Sequence, residues 1–356
     1  MKGVPESRHS SGSTADAEAH GLHRTREAGR EPHVNSVWTE LTPRCRSHVE
    51  ASAPVVTSIL FAIALLLLAL PAHAQNRGVY PLGMSATNSG VTPEPGFSYV
   101  NQLLFYSRDQ ARGADGEALA TGNNSVILAM NSFVWVSEGE ILGGARFSMS
   151  ATLPITNNAL SSDTAGAIGG GGGFADSYYQ PFILGWQRER VAVRAIYGFL
   201  APTGDFEAGA NDNVGSGYWT NVVASGQTWH VTSDGATVVS AFQMYEFHTT
   251  QKGTGVHPGQ TIDLDYSLMQ TMAPRRDLRL QVGLAGYGQW QTTDKEGPGA
   301  TPGQADARYR VNAIGFASNV NWPERKLGLG FKYFKEFSNR STYQGYSVQI
   351  SGSLGF

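Results

Sequence analysis

From residue 75 onward the chain alternates apolar and polar residues at period two, over stretches of roughly 10–13 residues rather than the usual soluble strand of about 5–6. In 261–268 the set Ile262, Leu264, Tyr266 and Leu268 interleaves with Thr261, Asp263, Asp265 and Ser267. In 278–290 Leu278, Leu280, Val282 and Leu284 interleave with Arg279, Gln281, Gly283 and Ala285. The final stretch places Tyr346, Val348, Ile350, Leu354 and Phe356 on one face and Ser347, Gln349, Ser351 and Ser353 on the other. Stretches 145–153 and 191–199 behave alike. Those at 99–107, 125–136, 177–187, 218–229, 236–248, 308–322 and 326–336 alternate less strictly, for a total of about twelve strands.

The connections between strands fall into two alternating classes. Short turns stand at 137–140, 188–189, 232–235, 273–277 and 322–325, whereas loops near 108–124, 154–176, 201–217, 249–259 and 292–306 are long and rich in Gly, Asn, Asp, Thr and Pro. A shorter loop lies near 337–342. Long strands with alternating short and long connections predict an all-β fold, a transmembrane antiparallel barrel with short periplasmic turns, longer extracellular loops and both mature termini in the periplasm. The apolar face then meets lipid and the polar face lines the lumen, and closure leaves no unpaired strand edge in the hydrocarbon. Aromatics near strand ends, among them Trp186, Tyr218, Trp219, Trp229, Trp290 and Trp322, fit interfacial girdles.

Export is written into the N-terminal part. The apolar run Val55–Leu70 follows Arg44 and Arg46 and is followed by Pro71-Ala72-His73-Ala74-Gln75, the pattern of a secretory signal peptide cleaved after Ala74. As a helix that run reaches only ~24 Å, short of the ~30 Å hydrocarbon core. The expected division is a disordered leader or mis-assigned start over 1–50, a signal peptide over 51–74 and the barrel domain over 75–356. The single cysteine, Cys45, precedes the cleavage site, so the mature chain has no thiol for a disulfide or a Cys-ligated metal. A formal net charge of −3 without a basic block argues against a nucleic-acid partner.

Several strings, in order and spacing, resemble the outer-membrane family named for the meta-pathway of phenol degradation. They are Tyr80-Pro81-Leu82-Gly83, Pro95-Gly96-Phe97-Ser98-Tyr99, Ala201-Pro202-Thr203-Gly204-Asp205-Phe206, Gly215-Ser216-Gly217-Tyr218-Trp219-Thr220 and Tyr287-Gly288-Gln289-Trp290-Gln291-Thr292-Thr293-Asp294. The resemblance spans nearly all the mature chain and implies a transporter associated with the catabolism of aromatic compounds. It supplies no catalytic motif.

The residues themselves point to no covalent chemistry and no cofactor. Gly169–Gly173 lacks the Gly-Lys-Ser/Thr and helix of a phosphate loop and reads as a flexible extracellular loop. His230, His248 and His257 show no metal-ligand spacing, and no Gly-x-Ser-x-Gly elbow is present. Alternation puts Arg146, Arg194, Asp263, Asp265, Arg279, Arg310 and Lys332 on the lumenal face, either as cross-lumen ion pairs or as a polar path for solute. Tyr218, Trp219 and Trp290 read as girdle residues or as an aromatic entry site. Phe356 on the lipid face resembles the signal read by the barrel-insertion machinery. The expected partners are outer-membrane lipids, that machinery with periplasmic chaperones, and a small hydrophobic or aromatic solute. The reading is a passive channel for such solutes. Its alternatives are a structural or adhesion barrel with a closed lumen and, third, a lipid-modifying barrel enzyme using His230 or His248.

Overall fold

A computed structural model describes residues 78–162, 166–168, 171–210, 212–300 and 307–356. The leader and the signal peptide expected from the sequence lie outside these residues. Long strands are Gly96–Arg112 (β1), Ala118–Ile141 (β2) and Ala145–Ser162 (β3). Two three-residue pieces follow, Gly166–Ile168 (β4) and Gly172–Phe174 (β5). Then come Ser177–Gln187 (β6), Val191–Ala201 (β7), Thr220–His230 (β8), Thr237–His248 (β9) and Thr261–Arg275 (β10). Leu278–Gln291 (β11), Arg310–Trp322 (β12), Leu327–Glu336 (β13) and Thr342–Gly355 (β14) complete the set.

Every long strand pairs antiparallel with its neighbours in sequence, and β14 returns to pair with β1 from Ser98↔Gly355 to Arg112↔Thr342. The result is a closed ring of twelve long strands. The turns at 142–144, 188–190, 231–236, 276–277 and 323–326 share one end of the ring with Gly96 and Gly355. Connection 249–260 and the described parts of connections 202–219 and 292–309 lie at the other end.

Two expected loops are instead largely strand. The 108–124 region continues as β1 and β2, which pair out to Arg112↔Ala118 and leave a tight turn at 113–117. The 154–176 region holds the upper half of β3, onto which β4 and β5 fold back, with Ile155↔Phe174 and Leu160↔Ile168 in register. Gly172 and Gly173 of the glycine run thus belong to a strand, because β3 offers a free edge there that backbone amides can satisfy whatever the side chains.

Burial along the strands is inside out relative to a soluble sheet. In β10 Asp263 and Asp265 are 0% exposed, while Ile262, Tyr266 and Leu268 are 37–51% exposed. Across β10–β11–β12 the paired Leu268, Leu284 and Phe316 form an outward apolar band, and Ile314, Ile350 and Leu354 are likewise exposed. Phe356 also lies outward, its N–H bonded to the Phe97 carbonyl at 2.8 Å.

The lumen is less polar than the alternation suggested. Leu104, Val126, Met130, Leu200, Phe242, Met244 and Phe334 all point inward and are buried. This explains why several strands alternate only loosely, since both of their faces carry apolar residues. The inward ones pack against an additional piece of chain. For the outer face, Leu284→Arg should destabilise the folded barrel in bilayers by about 2–4 kcal/mol at mid-membrane depth. A urea titration of insertion into lipid vesicles measures this, and an unchanged midpoint would mean that this face does not meet lipid.

Candidate functional site

Residues 78–95, which precede β1, run inside the barrel. Turns compact the segment: Met84 N–H donates to Pro81 O and Ala86 N–H to Gly83 O, each at 3.3 Å, and Val91 N–H to Asn88 O at 2.9 Å. Asn88 adopts φ 53°, a left-handed conformation that asparagine tolerates better than most residues. Tyr80, Leu82, Met84 and Ala86 join the apolar clusters of the wall. Where the segment presses on the barrel, the wall is glycine. A Cβ on Gly226 would overlap the Ser89 carbonyl, and one on Gly185 would overlap the Thr92 hydroxyl.

The inward charges hold this segment. Asp265 accepts from the Tyr80 hydroxyl at 2.7 Å, the Gly83 N–H at 2.9 Å and the Ser85 N–H at 3.0 Å. Lys332 donates to the carbonyls of Gly83, at 2.9 Å, and Met84. Arg194 Nε donates to Ser89 O at 2.7 Å, and Gln349 Nε2 to Leu82 O at 2.8 Å. Burial, and then the Asp265 carboxylate, raise the Tyr80 phenol well above its ordinary value, so it stays a donor. A buried carboxylate is costly unless several donors reach it, and here the segment supplies them.

The other sequence-picked charges are placed differently. Asp263 accepts from Gln289 Nε2 at 2.6 Å, and its second oxygen has no partner among the described residues. Arg146, Arg279, Asn88, Glu94 and His230 line a cavity of about 610 Å³ beside the short turns. Arg310 is a correction: it pairs with Trp290 on the face shared by Ile314 and Phe316 and so faces outward. The preceding residue, Tyr309, is the inward one, 5% exposed, and its hydroxyl accepts from Gly78 N–H at 2.7 Å. Of the aromatics, Trp219 is half exposed beside Phe199, whereas Tyr218 is buried against His248 with ring centroids 5.2 Å apart.

Two inward carboxylates were not among the sequence candidates. Glu246, 0% exposed, accepts from the N–H groups of Val79 and Tyr80, at 3.3 and 2.8 Å, and from Thr261 Oγ1 at 2.6 Å. Glu336 gathers the hydroxyls of Tyr106 and Tyr287, at 2.8 and 3.1 Å, with Asn339 Nδ2 and the Gly345 N–H. Glu246 stands between the outward rings of Tyr245 and Phe247, an alternation that could have identified it.

Of the three histidines among the described residues, His248 has its Nδ1 2.8 Å from Thr220 Oγ1 and its Nε2 3.5 Å from Glu246. His230 meets Gly235 O, and His257 meets Gln260. Near the long-loop end, Asp176 accepts from Gly204 N–H at 3.0 Å and from the N–H and hydroxyl of Ser216 at 2.7 and 2.5 Å, which fastens connection 202–219 to the start of β6. Burial raises its carboxyl above the usual range, against the lowering effect of those bonds.

The segment divides the lumen. On its short-turn side lies the polar vestibule just described. Towards the long loops lies a second cavity of about 140 Å³, bounded by Val79, Tyr80 and Met84 of the segment and by Leu104, Leu128, Met130 and Met244 of the wall.

The family described as "Putative MetA-pathway of phenol degradation" matches residues 108–351. The chain belongs to that family. Among solved structures, an outer membrane channel from Pseudomonas putida F1 superposes with a TM-score of 0.59 at 13% identity, covering 76% of this chain and 98% of the other. The beta domain of the Bordetella autotransporter Brka covers 74% of this chain and 100% of its own at 10% identity, with a TM-score of 0.45. The CymD monoaromatic hydrocarbon channel covers 74% and 89% at 9% identity, with a TM-score of 0.31. No curated protein matches the chain in sequence. With its closed ring and outward apolar band, this family member is an outer-membrane β-barrel.

Asp265→Ala removes the acceptor of three bonds, at least about 2 kcal/mol for bonds to a charged group, or roughly a 30-fold shift toward the undocked segment. Single-channel recording in planar bilayers should then show longer and more frequent open events than the parent barrel. Unchanged conductance would mean that Asp265 does not hold the segment.

Proposed function

We propose that the barrel is a passive outer-membrane channel for small hydrophobic or aromatic compounds. The observation that carries this reading is the 140 Å³ cavity on the long-loop side, walled by aliphatic and Met side chains within a lumen whose opposite end is polar. An apolar solute entering between the long connections passes Asp176, held by Gly204 and Ser216, and then meets a compatible surface. The vestibule around Arg146 and Arg279 then offers a wetted exit, as charged rings do in pores. Family membership supports the same solute class.

In this reading the chain is exported by cleavage after Ala74, kept soluble by periplasmic chaperones and inserted by machinery that reads Phe356 among outer-membrane lipids. The short turns face the periplasm. Trp219 and Trp290 serve as interfacial anchors, and Tyr218 packs on His248. Transport needs no covalent step.

A closed structural or adhesion barrel is the second reading, favoured by the docking of residues 78–95 across the lumen. Uptake separates the two. Proteoliposomes whose outer leaflet is lipopolysaccharide, which slows unaided entry of apolar solutes, should pass radiolabelled toluene into an internal trap several-fold faster with the barrel than without it, and faster again with Asp265→Ala. Equal rates with and without the barrel would favour the closed reading.

A further inference from the structure

We propose that the cavity between residues 79–84 and the inner wall of β1–β3 is a binding site for one single-ring hydrocarbon, discriminating by size against two-ring compounds and by polarity against phenols. The proposal rests on the channel reading and specifies where and what that channel binds.

Size comes first. A volume of about 140 Å³ is close to the ~150 Å³ of an apolar protein cavity that takes up benzene. A fused second ring adds a group too large for a close-packed wall to absorb without strain. Leu104, Val126 and Met130, buried on the wall, and Met84 from the segment already form one apolar cluster. Methionine sulfur and methyl groups adapt to a ring face at little cost.

Polarity acts in the same direction as size. Each polar side chain bordering the cavity already has its partner. Thr152 Oγ1 bonds Ser132 Oγ at 2.7 Å, and Thr156 Oγ1 donates to Ile127 O at 3.2 Å. The Tyr178 hydroxyl accepts from Gln180 Nε2 at 3.1 Å, Tyr80 donates to Asp265, and Ser216 donates to Asp176. A site whose hydroxyls are all engaged gives water little to hold it, since a bound water needs about 2–4 polar partners. Away from the Asp176 rim, a phenolic hydroxyl would give up its water for no new bond. The cavity is built for the ring and not for its substituent.

The position adds a consequence for passage. Because Val79, Tyr80 and Met84 form one side of the site, an occupant touches the same segment that closes the lumen. At the opposite rim stand Val214 and Ser216 of the connection that Asp176 fastens.

The test uses the full mature barrel in lipid nanodiscs with fluorobenzene as the probe, followed by ¹⁹F NMR. The expected result is a saturable shift with one site per barrel, displaced by toluene, at least about tenfold less readily by phenol, and not by naphthalene. Leu128→Trp, which fills the cavity, should abolish the saturable component, whereas the outward Leu284→Trp should keep it. Because a large residue could impair folding, Met130→Ala provides a second arm: it enlarges the cavity and should admit naphthalene. Purely linear partitioning that is the same in all variants, or phenol and naphthalene competing as well as toluene, overturns the proposal. Absent saturable binding with intact liposome uptake of toluene would remove the site and leave the channel reading standing. Saturable binding without uptake would keep the site and remove the channel reading.

Discussion

A carboxylate sealed inside a protein wall must collect hydrogen-bond donors or give up its charge, and the arrangement around Asp265 follows from that constraint. Its donors come from Tyr80, Gly83 and Ser85, residues that belong to no barrel strand. Glu246 makes the same demand on the neighbouring strand β9 and is met by Val79, Tyr80 and Thr261. Lys332 supplies the opposite sign to the carbonyls of Gly83 and Met84. The segment and the wall therefore satisfy each other: free, each would expose groups that the other pairs. The apolar contacts of Tyr80, Leu82, Met84 and Ala86 add burial to that polar lock.

Once the segment is in place, the lumen has two unlike halves. The long-loop side becomes small and apolar because Met84 and Val79 close it against Leu104 and Leu128. The short-turn side keeps Arg146, Arg279 and Glu94 around a larger polar space. A simple water-filled pore has no such division. Its occurrence here ties the solute class to the placement of eighteen or so residues that contribute nothing to the barrel ladder.

The barrel itself was legible because membrane crossing imposes period two over long strands with a strict outward face. Ile262, Tyr266 and Leu268 against Asp263 and Asp265 carry the alternation, and strand length with aromatics at strand ends turns its apolar face to lipid. The loop estimates at 108–124 and 154–176 failed because ladder extension beyond the membrane depends on free strand edges, not on side-chain pattern. Arg310 was misassigned where less regular alternation near a strand start hid the inward role of Tyr309. Glu246 and Glu336 lie on strands that the alternation marks, Glu246 between the outward Tyr245 and Phe247. The lumenal segment left only a faint trace. Tyr80, Leu82, Met84 and Ala86 alternate, yet Pro81 and Gly83 read as ordinary loop, and nothing local says that their donors answer carboxylates some 160–185 residues away.

Amide hydrogen exchange on the intact mature barrel in lipid, resolved over residues 78–95, addresses the docked segment most directly. If Asp265 and Glu246 hold it as described, the N–H groups of Tyr80, Gly83 and Ser85 will exchange at least about a hundredfold more slowly than an unstructured chain, in line with neighbouring strand amides. Exchange of those three at the unprotected rate, with β10 and β11 remaining protected, would show an empty lumen and contradict the account.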